Sequence, residues 1–336
     1  MLDRRRVCSA LIGAATAVAV APGRADELPA GPVRIIVPAV AGGGSDILAR
    51  LLAGRLADLW RRSVVSENIP GAAGGVAART VRRSPADGRT LLMGSTGTLM
   101  AAASGVDGGL VSEFRVTDHF APIALVAAPP YVLTLHPGVR ATTVRSLIRL
   151  ARDREVAGFP LRYGSSGSGA ASHLTGVLFQ QQAGVLLEHV PLLGTGAAMQ
   201  ELLDGRLDLL FAPPPTIRDT VEDGRLLAVA TTGRTRSPTF PAIPTIAESG
   251  LPGFESVGWF GLLAPRGTPD ALVARIADDV GTLLRRPDLR DRLAALGTTP
   301  QPTSPTAFAR YIDADVAKWT ALLIAPGALR IDALPR

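Results

Sequence analysis

The chain has 336 residues, of which 47% are hydrophobic, 19% are charged and 4% are aromatic. This length is typical of about two domains with buried cores, and this composition excludes a disordered or fibrous protein. The formal net charge is +6, and outside the N-terminus the charges are scattered rather than clustered, which argues against nucleic acid as a partner.

The N-terminus has the organisation of a secretory signal peptide. Three arginines at 4–6 precede an apolar stretch at 7–22, and a small-x-small cleavage pattern ends at Ala25. Residues 1–25 carry four arginines and one aspartate, so their removal lowers the formal net charge from +6 to +3. The sole cysteine, Cys8, lies ahead of the apolar stretch, where a lipid anchor is not expected. We expect export through the Sec route and cleavage after Ala25.

Strands and helices alternate along the first third of the chain. Short β-branched apolar runs predict buried strands, and apolar residues at helical spacing predict helices, the first with Ser45 as its N-cap. We expect strands at 33–38, 64–65 and 90–93 and helices at 45–60 and 76–81. This alternation predicts a parallel sheet whose loops gather at its C-terminal edge, where open α/β sheets bind ligands.

The middle of the chain starts a second cycle of strands and helices. The apolar run at 121–136 contains prolines and has no helical period, so it is interpreted as an extended crossover. Strands are expected at 162–163, 189–190, 205–211 and 224–230, and helices at 174–182 and 197–203. The strand at 224–230 is expected to carry the chain back to the first domain. A strand at 259–263 and helices at 271–284 and 306–323 then complete that domain.

These elements predict two α/β domains joined by two crossovers. The first domain comprises 26–125 and 233–336, and the second comprises 126–232. Two crossovers between two α/β lobes create a cleft and a hinge, a geometry associated with closure around a ligand.

Four segments rich in glycine, serine and threonine each separate a strand-like run from a helix-like run. They lie at 39–46, 94–98, 164–169 and 193–196. A glycine turn before a helix points unpaired backbone N–H groups at one place, where the helix dipole favours negative charge. None of the four contains Lys or Arg. This pattern favours a pocket that holds a small anion through neutral donors.

A series of short motifs along the mature chain carries a resemblance to a known family. The motifs are Pro-Ala-Val-Ala-Gly-Gly-Gly-Ser-Asp at 38–46, Glu-Asn-Ile-Pro-Gly-Ala-Ala-Gly at 67–74, Pro-Ala-Asp-Gly-Arg-Thr-Leu-Leu at 85–92, Gly-Ser-Gly-Ala-Ala-Ser-His-Leu at 167–174, His-Val-Pro at 189–191, Arg-Ser-Pro at 236–238, Ile-Pro-Thr-Ile-Ala-Glu-Ser-Gly at 243–250 and Trp-Phe-Gly-Leu-Leu-Ala-Pro-Arg-Gly-Thr-Pro at 259–269. In this order and spacing, the chain resembles the Bug-type extracytoplasmic solute-binding receptors of the tripartite tricarboxylate transporters.

The resemblance implies a fold, a location and a function. The implied fold is α/β and two-lobed, of the type II periplasmic-binding-protein class, with two mostly parallel sheets, helices on both faces and a cleft between the lobes. The implied protein is a periplasmic monomer without catalytic activity, cofactor or metal. It captures a small organic carboxylate against the first glycine segment, partly through ordered waters, and presents it to a membrane permease.

Positions that match the family's binding loops are the candidate ligand contacts. In the first lobe they are Ala41, Gly43, Gly44, Ser45, Asp46, Ser95, Thr96 and Gly97. In the second lobe they are Ser166, Gly167, Ser168, Gly169, Ser172, Leu193, Gly194, Thr195, Gly196 and Pro214. Asp46 is expected to favour the helix N-terminus, with contact to a cationic part of the ligand as the alternative.

The chain departs from the family pattern at several of these loops. The family usually has an aromatic residue at Ala39, Tyr and a polar residue at 192–193, Ser at Ala170 and a polar residue at Ala212. Three prolines follow at 213–215, and because proline has no N–H, this loop is expected to present only carbonyls. The inferred pocket is roomy and apolar. It favours a carboxylate with a bulky or apolar remainder over aspartate or citrate. The lack of a free acidic residue near the segments also disfavours an amino-acid ligand, because its ammonium group needs a partner.

Two other functions remain open at the level of sequence. The same closure is suited to a sensory receptor that signals to a two-component sensor kinase. A periplasmic hydrolase would use Ser168 or Ser172 as nucleophile and His173 as base, but no nucleophile elbow or orienting acid accompanies them. His173 is therefore expected to pack at a helix start. Binding is expected to depend weakly on salt, and Arg162 is the first candidate for an unseen cation in the cleft.

Overall fold

The computed structural model describes residues 28, 30–103, 115–295 and 297–324. The predicted signal peptide and Cys8 lie outside the described residues. The chain forms two five-stranded sheets with helices on both faces, one sheet in each lobe.

The first lobe begins with alternating strands and helices. They are β1 (Val33–Val37), α1 (Gly44–Trp60), β2 (Val64–Asn68), α2 (Gly75–Arg82), β3 (Thr90–Ser95), α3 (Thr96–Ala103) and β4 (Phe120–Ala127). Side chains of β1 alternate between two cores, with Ile36 in one and Ile35 in the other, as a strand buried on both faces requires.

The second lobe is one continuous stretch of chain. Its elements are β5 (Val132–Leu135), α4 (Val144–Val156), β6 (Leu161–Ser165), α5 (Ala171–Ala183), β7 (Leu187–Pro191), α6 (Thr195–Leu203), β8 (Leu209–Ala212), α7 (Pro214–Glu222) and β9 (Leu227–Thr231). The chain then returns to the first lobe with β10 (Phe260–Pro265), α8 (Asp270–Leu284), α9 (Pro287–Ala295) and α10 (Pro305–Ile324).

The sequence predicted mostly parallel sheets, and each sheet is mixed, with four of its five strands running in one direction. The strand order is β2-β1-β3-β10-β4 in the first lobe and β7-β6-β8-β5-β9 in the second. In each sheet one strand, β10 or β5, is antiparallel to both of its neighbours. This antiparallel strand is the element that directly follows a crossover from the other lobe.

The crossovers differ from the prediction in their extent. The run at 121–136 contains β4 and β5, and only 128–131 connects the two sheets. The strand at 224–230 was expected to lead back to the first domain, but β9 pairs with β5 and stays in the second lobe. Prolines in the run at 121–136 favoured an extended crossover over strands, but β4 lies at a sheet edge, where a strand tolerates Pro122.

The connecting segments lie side by side at the hinge. The Thr232 N–H donates to the Tyr131 carbonyl at 2.9 Å, the Ser256 N–H to the Thr232 carbonyl at 2.9 Å and the Gly258 N–H to the Pro129 carbonyl at 3.0 Å. The two connections between the lobes, 128–131 and 232–259, are therefore tied to each other by backbone hydrogen bonds.

A continuous core spans the hinge. Phe254, in the returning connection, packs edge to face on Phe179 of α5, with ring centroids 6.3 Å apart. One cluster of buried residues thus includes side chains of both sheets. Across the described part of the chain, every helix is too short or too polar to cross a bilayer.

Candidate functional site

The four glycine-rich segments meet between the lobes. They follow β1, β3, β6 and β7 and lead into α1, α3, α5 and α6. A Cβ on Gly97, in the second segment, would lie 3.3 Å from the Ala170 Cα beside the third. A Cβ on Gly194, in the fourth, would lie 3.7 Å from Val40 Cγ2 in the first. Each segment of one lobe therefore approaches a segment of the other.

Three of these helices begin without a side-chain cap. The N-cap residues of α1, α5 and α6 are Gly43, Ala170 and Gly194, and none of them makes a side-chain capping hydrogen bond. The first N–H groups of a helix have no carbonyl within the helix to bond, and the helix dipole makes this end positive. Neutral donors and positive helix ends therefore converge where the segments meet, which suits an anion.

Asp46 braces the first segment. Its Oδ2 accepts hydrogen bonds from the Gly42 N–H at 2.9 Å and Arg50 Nε at 3.0 Å, and its Oδ1 accepts one from Asn68 Nδ2 at 3.0 Å. Burial raises the pKa of the Asp46 carboxyl, but these hydrogen bonds and the Arg50 charge outweigh burial and hold the pKa below its ordinary value. The carboxylate is thus occupied by hydrogen bonds to Gly42, Arg50 and Asn68 of the first lobe.

The same contacts correct the predicted cap. The sequence predicted Ser45 as the N-cap of α1, but Gly43 is the N-cap and the buried Ser45 lies in the first turn. The helix starts earlier because Asp46 reaches back to the Gly42 N–H and closes the turn. Gly42 has φ of 85°, a left-handed conformation that favours glycine.

Sequence reasoning missed Asn68 as a supporting residue. This residue ends β2 and donates from Nδ2 to the Ala39 carbonyl at 3.0 Å as well as to Asp46. Its Oδ1 accepts from Arg50 at 2.9 Å. The available signal was the motif at 67–74, which contains Asn68 shortly after the strand predicted at 64–65.

The second segment is held from below by Asp315 of α10. Asp315 Oδ2 accepts from Thr96 Oγ1 at 2.9 Å and from Trp259 Nε1 at 2.7 Å. Burial raises the pKa of Asp315, and the hydrogen bonds from Trp259 and Thr96 act against it. The Ser95 and Thr98 hydroxyls are 3.0 Å apart, so both lie at the start of α3. Sequence reasoning did not find Asp315.

The third segment is folded around its own side chains. Ser172 Oγ accepts from the Ser166 N–H at 3.1 Å and lies 3.2 Å from Ser166 Oγ. The Gly169 N–H donates to His173 Nδ1 at 2.9 Å, which places the His173 proton on Nε2. Gly167 has φ of 130° and Ser168 is half-buried.

Two histidines stack beneath this segment. The rings of His173 and His189 are parallel within 8°, with centroids 3.9 Å apart. His189 Nε2 lies 2.7 Å from Ser165 Oγ, which also accepts from the Gly167 N–H at 3.1 Å. Burial, followed by the charge of His189, lowers the pKa of His173 to about 3, so the ring is neutral. The packing role expected of His173 matches this position, whereas the pairing with His189 was not foreseen.

The fourth segment lies at the mouth of the site. Leu193 is 93% exposed, and Val40 of the first lobe, which approaches the neighbouring Gly194, is 52% exposed. Gly194 has φ of 101°, and its carbonyl accepts the Ala198 N–H in the first turn of α6. Thr195 is half-buried and Gly196 is exposed, as is Ala41 in the first segment.

The proline run is a helix start rather than a carbonyl-presenting loop. Pro214 is the first residue of α7, and the Pro213 carbonyl already accepts both the Thr216 N–H at 3.1 Å and Thr216 Oγ1 at 2.7 Å. Proline is well tolerated at this position because the first helical N–H has no intrahelical partner. Pro214 is buried, and a Cβ on Gly297 would lie 2.5 Å from its Cβ.

The geometry does not assemble the hydrolase that the sequence left open. His173 Nδ1 is bonded to a backbone N–H and Ser172 Oγ is bonded to Ser166. The Ser–His pair that the structure does form, Ser165 with His189, is shielded because Ser165 is 0% exposed. Arg162 lies away from the cleft, with its guanidinium on the Arg206 carbonyl at 2.7 Å.

The two lobes and the donors between them define the class of the protein as a solute-binding protein. The family of tripartite tricarboxylate transporter receptors matches residues 48–327. BugT of Bordetella pertussis is 32% identical over 316 residues, which cover 94% of this chain and 95% of BugT. Two solved structures from Rhodopseudomonas palustris are similar. Rpa4515 with adipate has a TM-score of 0.79 and 33% sequence identity, and the match covers 88% of this chain and 97% of the Rpa4515 chain. MatC with bound malate has a TM-score of 0.77 and 30% sequence identity, and the match covers 87% of this chain and 98% of the MatC chain.

The chain belongs to the tripartite tricarboxylate transporter receptor family. The Bug-type resemblance and the two-lobed α/β fold predicted from the sequence are thereby confirmed. Receptors of this family are periplasmic proteins that bind small carboxylates, and they are not enzymes.

Proposed function

We propose that this protein captures a small organic carboxylate between its lobes and presents it to a membrane permease. The observation that carries the proposal is the convergence of the uncapped N-termini of α1, α5 and α6 where the segments of the two lobes meet. The adipate and malate bound by Rpa4515 and MatC support the chemical class.

The carboxylate is proposed to bind the first-turn N–H groups of α1, at Gly44, Ser45 and Asp46. Asp46 acts here through its backbone, since its side chain is occupied by Gly42, Arg50 and Asn68. The Ser95 hydroxyl and the Gly97 backbone extend this anchor at the start of α3, which Asp315 fixes through Thr96.

The second lobe is proposed to close over the remainder of the ligand. Ser166, Ser168 and Thr195 supply hydroxyls, and the N-terminus of α5 supplies a second positive helix end. Leu193 and Val40 are exposed on the two lobes, with Val40 beside Gly194, so closure is proposed to bury apolar surface as well as the anion. These contacts favour a carboxylate with an apolar remainder.

The division into domains and the processing of the chain are part of the same proposal. The proposed lobes are 26–125 with 233–336 and 126–232, and they move about the hydrogen-bonded connections at Tyr131, Thr232 and Gly258. The end of β4 at Ala127, which pairs with Phe260, moves with the first lobe. The exported chain begins at Asp26 and is a monomer. Intact mass of the protein recovered from the periplasm and its elution by size-exclusion chromatography check these two statements.

The test is a thermal-shift screen of the exported protein against aliphatic, dicarboxylic and aromatic acids. A ligand at about 100 times its Kd stabilises the folded state by roughly 2.7 kcal/mol, which shifts the melting temperature measurably. The matched control is the amide of each acid that scores, which keeps the carbon skeleton and removes the anion. A panel without any stabilising carboxylate, or amides that stabilise equally well, would overturn the proposal.

A further inference from the structure

Phe260 lies beside the anion site but was not among the candidate contacts. It is the first residue of β10, directly opposite Ser95 at the end of β3 in the antiparallel register. Because β10 runs against β3, it starts at the sheet edge where β1 and β3 end. Phe260 therefore occupies the same edge as the first two glycine-rich segments.

The Phe260 ring faces the first turn of α1. A Cβ on Gly44 would lie 3.5 Å from Phe260 Cζ. The neighbouring residues of β10 point to the opposite face of the sheet, since Trp259 is buried in the core that contains Phe308 and a Cβ on Gly261 would collide with Phe308. The ring is only partly buried, so it is accessible next to the uncapped helix N-terminus.

The position of Phe260 is fixed from below. Trp259 donates to Asp315, which also holds Thr96 at the start of α3. The aromatic ring is thus set between two backbone anchors, the first turn of α1 and the Ser95–Thr96 turn. The first turn of α1, where the carboxylate is proposed to bind, therefore lies next to this ring.

We propose that Phe260 is a specificity-determining residue that selects carboxylates whose carbon next to the carboxylate is unsubstituted. This inference rests on the proposed function. A phenyl ring offers no hydrogen-bond partner, so a hydroxyl or ammonium on that carbon loses its water without replacement, whereas a methylene gains from burial. The expected preference for the unsubstituted acid is at least about tenfold in Kd.

The experiment compares acids that differ only by a 2-hydroxyl group. The pairs are succinate and malate, adipate and 2-hydroxyadipate, and phenylacetate and mandelate, titrated by calorimetry into the wild-type protein, Phe260→Leu and Phe260→Asn. Leu keeps an apolar side chain and should keep the preference. Asn offers hydrogen-bonding groups and should reduce the preference to below about threefold.

Phe308→Leu is the matched control, because Phe308 packs on the opposite face of β10 and should leave the ratio of Kd values unchanged. A wild-type protein that prefers the 2-hydroxy acids would overturn the inference, as would a folded Phe260→Asn protein with the wild-type ratio. If all six acids fail to bind but another carboxylate stabilises the protein, the inference is overturned and the proposed function stands. If no carboxylate binds, both are overturned.

Discussion

Replacing Asp46 with Asn tests whether this residue braces the first glycine-rich segment or contacts ligand. The substitution keeps the size of the side chain and removes its charge. In the folded protein Asp46 is only 2% exposed, and its carboxylate accepts three hydrogen bonds, from Gly42, Arg50 and Asn68. An amide has one acceptor oxygen and cannot serve donors on both sides.

The expected loss follows from these contacts. If the amide oxygen stays near Gly42 and Arg50, its NH2 group faces Asn68 Nδ2, and two donors oppose each other. Asn68 cannot turn over without losing its bonds to the Ala39 carbonyl and to Arg50. Since hydrogen bonds to charged groups contribute about 1.5–3 kcal/mol each, the loss of one such bond and the weakening of another should lower the free energy of unfolding by about 2–4 kcal/mol.

Urea denaturation of the unliganded protein measures this loss, with an unchanged m value as the condition for reading it as stability. Asp58→Asn is the matched control on the same helix. Asp58 is exposed and lies 3.9 Å from Arg55, a surface pair whose removal should change the free energy of unfolding by less than about 1 kcal/mol. An Asp46→Asn protein as stable as Asp58→Asn would refute the bracing role.

Ligand affinity gives the second readout. A brace that positions the α1 N-terminus should weaken every carboxylate that scores in the screen, including those without a cationic group. A loss confined to ligands with an ammonium would instead identify Asp46 as a direct contact. The contribution of Asp46 to stability is present above its ordinary pKa of 3.8 and is lost as pH falls through the lower pKa of the folded state.

Three further predictions concern other parts of the molecule. Burial holds the pKa of His173 at about 3, so as pH falls the unfolded chain takes up the proton before the folded protein does. Between about pH 7 and 4 the free energy of unfolding should therefore fall less in His173→Gln than in the wild type, with a difference of up to about 1.4 kcal/mol per pH unit. Denaturant titrations at several pH values measure this difference. Ala73 has φ of 51°, a left-handed conformation that strains any residue other than glycine, so Ala73→Gly should leave the urea midpoint unchanged or raise it. Ala274→Gly, on an exposed face of α8, should instead lower the free energy of unfolding by about 1 kcal/mol. Equal losses in the two variants would contradict the argument from strain at Ala73. Ligand affinity measured by calorimetry should change less than about threefold between low and moderate salt, because Arg50, a cation beside the first segment, is paired with Asp46. A steep fall in affinity would reveal an unpaired cation in the cleft.

The strand–loop–helix order could be read from the sequence because it rests on local patterns. Each glycine-rich segment is bounded by a strand-like run and a helix-like run, and each does connect a strand to a helix. The antiparallel strands could not be read in this way. The direction of β10 depends on its returning from the other lobe, which is set by 232–259 as a whole rather than by its own residues.

The supporting residues of the site were hidden for a related reason. Asn68 reaches Asp46 across 22 positions, and Asp315 reaches Thr96 across 219. Neither spacing has a sequence signature, since the contact exists only once β2 lies beside β1 and α10 packs under α3. The prolines at 213–215 show a different error. Proline does lack an N–H group, but the segment is the start of α7 rather than a loop that presents carbonyls.

The side chains around the segments divide the work of recognition. Asp46, Ser165, Ser172 and His173 each bond to backbone groups of their own segment, so they set loop geometry. In the proposed site, binding of the carboxylate then falls to backbone N–H groups, which every residue other than proline possesses. Substitutions at the apolar positions that border this anchor are therefore expected to change which carbon skeleton fits without removing the anion site.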